Sequence, residues 1–292
     1  MAIRNYGLGN RDMARAGHNA LRSRSQLSFS SIATIHDRWT QLCRWAQSRN
    51  IKYMEQITKD LLIEYGQELA GKVESGHMAV RTAQNYVAAV NRVLGLARRD
   101  TRLWISPTQE GGIAKKSGIA THNKATAEDE VLATRPDLSP RTAILIRLAH
   151  DWGLRFKECC LLNARQALAE AQRHQRITVT LGTKGGRRRT VPMTSEEQLS
   201  VLEEAARIQE GRSMVPPHLS FIEFATTAYR EYSRYHGGRH QYAQRRYLAL
   251  VGAPCPIAAG VAHGDDHIEP PREFRRLFGV SHAAVAGSVS LR

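Results

Sequence analysis

Cysteine is scarce in this chain, with four in 292 residues. Cys43, Cys159, Cys160 and Cys255 include no C-x-x-C pair, which argues against a structural zinc site, so no metal is expected. The adjacent Cys159-Cys160 lies in an apolar helical stretch and fits reduced core residues of a cytoplasmic protein. Long apolar runs are missing too, since nothing approaches the roughly 18 residues that a membrane helix needs. The start, Met1 to Tyr6, carries no apolar secretory segment, so neither export nor a membrane partner is expected. No G-x-x-x-x-G-K-[ST] phosphate loop, internal repeat or low-complexity tract occurs. The last shortage is acidic residues: 27 Asp and Glu stand against 42 Lys and Arg, a net charge of +15. So positive a surface attracts polyanions and gains by releasing counterions from nucleic acid. The hydrophobic fraction of 42% is too high for a disordered chain, and the length allows two cores.

Apolar spacing divides the chain. Residues 1–26 are polar and rich in Arg and Asn, and read as a basic arm. Ile32, Ile35, Trp39, Leu42 and Ala46 then recur at steps of three and four, which marks one buried helical face. Thr58 is placed to cap a second helix bearing Leu61, Leu62, Tyr65 and Leu69. A third runs from about Ala79 to Ala97 with Tyr86, Val90, Val93 and Ala97 inward. Its other face offers Arg81, Gln84, Asn85 and Arg92, followed by Arg98 and Arg99, a positive outer side suited to DNA. Residues 27–100 are therefore expected to form a helical DNA-binding domain. Residues 101–125, with Ser106-Pro107, Gly111-Gly112 and Lys115-Lys116, read as a linker.

A second domain is expected over residues 126–292. Ser139-Pro140 is a helix start and Gly153 a stop. A short helix over Phe156 to Leu162, a strand over Ile177 to Leu181, a turn at Lys184 to Arg187, and a second strand from Arg189 to Pro192 follow. Ser195 to Gln198 is a capping box, and residues 219–250 read as mainly helical. The fold class is mainly α with a small β-sheet, α+β.

Three separated segments share one chemical theme. Gly153-Leu-Arg155-Phe-Lys-Glu158 exposes an arginine at a helix junction. Gly182-Thr-Lys184 through Pro192 sets a lysine on a turn. His236-Gly-Gly-Arg239-His240 places a histidine and an arginine on one helical face. Guanidinium forks clamp the non-bridging oxygens of a phosphodiester, a lysine can protonate a departing oxygen, and a histidine can move a proton. Side chains supply the cations, so no cofactor is called for. Arg187 and Arg188 beside the turn are further DNA-binding candidates.

These boxes resemble the tyrosine recombinases, in particular the integrases of phages and mobile elements. G-L-R-x-x-E matches residues 153–158, the hairpin lysine box matches residues 182–192, and H-x-x-R-H matches residues 236–240. The likeness spans about residues 27 to 250 and implies a SAM-like core-binding domain followed by a catalytic domain. It implies that Arg155 and Arg239 grip the scissile phosphate, that Lys184 protonates the leaving oxygen, and that His236 assists. It further implies site-specific recombination on double-stranded DNA, self-association into a synaptic tetramer, and a prokaryotic, nucleoid-associated setting.

One part of the pattern is absent. In that family a tyrosine about thirty or more residues past H-x-x-R attacks DNA and forms a 3′-phosphotyrosyl link. Here the last tyrosine is Tyr247, and the tail places Ser288 where the nucleophile is expected. The family's second histidine has two candidates, His263 by spacing from Arg239 and His282 by its place in the tail. Gly238 stands where the family commonly has leucine, which points to relaxed constraint. Tyr242 and Tyr247 are expected to pack inward. Three readings stay open at this point: an altered or decayed integrase that still binds DNA, an enzyme completed by a tyrosine given in trans, and an architectural or regulatory DNA binder. An RNA-binding protein is the fourth, and no RNP-type aromatic motif supports it.

Overall fold

The computed structural model describes residues 4–116 and 122–260, and the chain divides into a unit over residues 1–117 and another over 118–292. Each unit has its own apolar core. Among the described residues, no helix is long and apolar enough to cross a membrane.

The first unit is helical. Helix α1 (Met13–Arg24) starts at Asp12, whose carboxylate accepts the N–H of Arg15 at 2.7 Å. It buries Met13, Ala16, Gly17, Ala20 and Leu21, so the expected basic arm is corrected: much of it belongs to the core. The reason is small residues. A Cβ at Gly17 would collide with the indole of Trp39 on α2 (Phe29–Gln47), and that indole donates to the Met13 carbonyl at 3.0 Å. Helix α3 (Lys59–Glu74) is capped by Thr58 as expected, and α4 (Val80–Arg98) buries Val90, Val93 and Ala97. Residues 101–116 are corrected in the same way. Ile105 and Ile113 are buried in this core, and Asn91 pairs with both backbone groups of Ile105, at 2.9 and 3.2 Å. That stretch is held to the bundle and is no free linker.

The described part of the second unit begins with a strap over residues 122–127 and the short α5 (Glu128–Thr134). Helix α6 (Pro140–Asp151) starts at Ser139, which accepts the N–H of Thr142. Helix α7 (Phe156–Leu161) follows the Gly153 turn, and α8 (Ala164–His174) leads into the hairpin. Strands β1 (Arg176–Val179) and β2 (Arg189–Pro192) pair antiparallel, with Ile177 opposite Val191 and Val179 opposite Arg189. Strand β1 ends before Leu181, two residues earlier than its sequence suggests. Helices α9 (Glu196–Ile208), α10 (Phe221–Glu231), α11 (Tyr235–Val251) and α12 (Pro256–Ala259) complete the described unit. Helix α11 packs along α6, and Gly238 is what lets it approach: a Cβ there would lie 3.2 Å from the backbone nitrogen of His150. Gly238 is thus a tightly packed position, which corrects the expectation of relaxed constraint.

Candidate active site

Gly153 organises the site. Its φ of +58° is a left-handed conformation that favours glycine, and any Cβ would run into the ring of Tyr242. The turn points its carbonyl at two guanidiniums, receiving Nη1 of Arg239 and, at 3.3 Å, Nη2 of Arg189. Two residues on, Arg155 precedes α7, and Glu158 in the first turn reaches back to accept its backbone N–H at 2.7 Å. The carboxylate of Glu158 is fully buried. It accepts Arg155 Nη1 at 2.9 Å on one oxygen and Arg189 Nη2 at 2.5 Å on the other. One acid therefore serves two bonded arginines and lies in the field of a third, Arg239.

The electrostatics follow. Burial alone would raise the Glu158 carboxyl, but the bond and charge of Arg189, the Arg155 N–H and Arg239 outweigh it and hold the pKa below the ordinary value. Arg239 is 0% exposed. Its burial, with the like charges of Arg189 and Arg155, pushes its pKa down to about 9, which leaves it protonated at neutral pH. His236 lies two residues into α11. Desolvation and the charges of Arg239, Arg155 and Lys124 lower its pKa, so its imidazole is neutral at pH 7. His240 meets it edge-on at 4.6 Å and is pushed down to about 4 by burial, His236 and Lys124. An excess of positive charge facing a neutral imidazole is suited to receiving an anion.

The structure brings Arg155, His236 and Arg239 together. Lys184 stands exposed at the tip of the hairpin, with Arg187 and Arg188 exposed beside it. In the first unit, Arg81 and Arg92 are exposed on α4, and Gln84 and Asn85 are half-buried. Gln84 donates to the Ala114 carbonyl at 2.9 Å, so its amide helps hold the chain. His263, His282 and Ser288 lie outside the described residues. Tyr242 is buried against Gly153 with its pKa raised to about 12 by desolvation, and Tyr247 is buried and raised by the same cause. Neither is poised as a nucleophile.

Two cations escaped the sequence reading. Arg189 is one. Lys124 is the other, carried by the strap that crosses α11, where Thr126 N–H donates to the Gly237 carbonyl at 3.3 Å and Gln244 Nε2 to Asn123 Oδ1 at 2.7 Å. The signal for Arg189 was available: strand alternation puts it on the same face as the buried Val191.

A family model described as integrase matches residues 112–246. The match spans just under half of the chain and shows a likeness to that family over those residues. Arg155, Lys184, His236 and Arg239 all fall inside it, and it ends one residue before Tyr247. The fold is that of the tyrosine recombinases. The Tn1549 transposon integrase (aa 82–397), solved with circular intermediate DNA, is 13% identical, with a TM-score of 0.56 over 98% of this chain and 94% of that one. A lambda integrase tetramer bound to a Holliday junction is 12% identical, with a TM-score of 0.57 over 95% and 77%. The XerH site-specific recombinase on difH is 16% identical, with a TM-score of 0.52 over 98% and 80%. Among curated proteins, none matches the sequence significantly. At these identities the structural likeness is one of fold.

Proposed function

We propose that this protein binds duplex DNA and grips one phosphodiester for site-specific recombination or integration of a mobile element. The observation that carries the reading is the buried Arg239 and half-buried Arg155 fastened to one turn, with a neutral His236 beside them. Arg155 and Arg239 would hold the two non-bridging oxygens and match the charge that grows on the phosphorus. Lys184, on a short hairpin, would come down on the departing 5′-oxygen and give it a proton. His236, neutral at pH 7, would accept a proton from the attacking hydroxyl or pass it on. The integrases and recombinase that share the fold are solved on DNA, which favours the same partner and assembly on DNA by several copies of this chain.

The attacking group is the point on which two readings divide. Tyr242 and Tyr247 are buried, which favours either a tyrosine supplied by another subunit or a protein that binds DNA without cutting it. A nicked suicide duplex tests this. A covalent adduct formed by the chain alone, stable in denaturing gels, would establish cleavage by its own residues. Salt-sensitive duplex binding that survives Arg155→Ala, with no adduct from the chain alone or mixed with a tyrosine-bearing recombinase, would establish the binding-only reading. Preference for single-stranded RNA over duplex DNA would overturn both.

A further inference from the structure

We propose that Arg189 is a positioning residue that fastens the Lys184 hairpin to the junction carrying Arg155, so that both arms of the phosphate site move as one body. This rests on the reading of the site given above. The hairpin needs such a fastening. Its strands are four residues each and form a two-stranded sheet, an arrangement that is marginal by itself. Residues 180–188 connect them with mostly exposed side chains, and Lys184 sits in that connection.

Two attachments lie at the root of the connection, one on each arm. On the rising arm, Gly182 (φ +74°) rests its backbone on the start of α7, where a Cβ would lie 2.7 Å from the Lys157 carbonyl oxygen. On the falling arm, Arg189 reaches three acceptors of the same junction: Glu158 Oε2 at 2.5 Å, Glu158 Oε1 at 3.4 Å, and the Gly153 carbonyl at 3.3 Å. Its side chain is 12% exposed and that of Glu158 is 0% exposed, so the pair is shielded from solvent. A planar fork with several donors can hold a carboxylate and a carbonyl together, and an ammonium cannot do so in one geometry. Glu158 and Gly153 are the groups that hold Arg155 and Arg239. Displacing Arg189 would release the hairpin and loosen the anvil under the two phosphate-gripping arginines.

The test compares Arg189→Met and Arg189→Lys with the parent in the full-length chain. Three quantities are measured: amide hydrogen exchange over residues 182–188, duplex affinity, and the single-turnover rate on a nicked suicide duplex. For Arg189→Met we expect exchange at the tip about tenfold faster or more, duplex affinity within about twofold of the parent, and strand cleavage slowed at least tenfold. Arg189→Lys, which keeps the charge and loses the fork, should fall between. Parent-like exchange and parent-like cleavage in Arg189→Met overturn the proposal. So does a loss of protection spread evenly through α6, α7 and α11, which would make Arg189 an ordinary core residue. Should Arg189→Met fail to fold, Arg189→Lys decides: faster exchange confined to the hairpin supports the proposal, and parent-like exchange overturns it. Should the parent chain not cleave, the cleavage reading fails separately, and exchange at the tip alone still supports or overturns the fastening.

Discussion

The two units hold positive charge in opposite ways. On α4, Arg81 and Arg92 stand apart in solvent. In the second unit, Arg155, Arg189 and Arg239 crowd around one buried carboxylate and one carbonyl. Exposed, separated cations require little of the fold and suit contacts to a nucleic-acid backbone. Desolvated, crowded cations are unfavourable unless an anion faces them, so they mark a place built for specific chemistry. The contrast teaches where the fold has invested stability in function.

The contrast is broken most severely at Glu158. Glu158→Ala would leave buried guanidiniums uncompensated and should destabilise the protein by about 3–5 kcal/mol, read from urea unfolding. Gly153→Ala comes next, because a left-handed turn and the Tyr242 ring both oppose a side chain. A loss of about 2–3 kcal/mol is expected by the same measurement. The third is a pH effect. His240 and His236 have depressed pKa values, so the unfolded chain binds more protons and stability falls as pH drops below about 6.5, down towards 4 for His240. The slope should reach at most ~1.4 kcal/mol per pH unit for each histidine, and His240→Gln should flatten it in urea midpoints taken between pH 7 and 5. His18 on α1 acts in the same direction and stays in that variant as background. The smallest effect sharpens the contrast from the other side. Arg81→Ala and Arg92→Ala should leave stability within about 0.5 kcal/mol of the parent and each reduce the salt slope of duplex binding by about one.

What could be read from the sequence was local. Ser139-Pro140, the Gly153 stop, the alternation around Ile177 and Val191, and the capping residues Thr58 and Gln198 all declare themselves within a few positions, and the structure has each of them. Helix α1 did not declare itself. Its inward stripe is Met13, Ala16, Gly17, Ala20 and Leu21, mostly small residues diluted by arginine and asparagine, and it makes sense only against the indole of Trp39. Helix α8 was missed for a like reason, since alanines carry its buried side. At the site, the boxes named Arg155, His236 and Arg239, which the fold brings together. Arg189 was hidden in a run of three arginines, where composition gives no sign of which one turns inward. Lys124 was hidden in a stretch that looked like a linker, because only tertiary contact lays that strap across α11.

The acceptor shared by Arg189 and Arg239 is a main-chain oxygen, and every amino acid has one. No substitution can delete it; a mutation reaches it only by changing the path of the backbone. The part of their anchorage that these two guanidiniums share is therefore written in torsion angles, and it will follow the shape of a single turn wherever that turn goes.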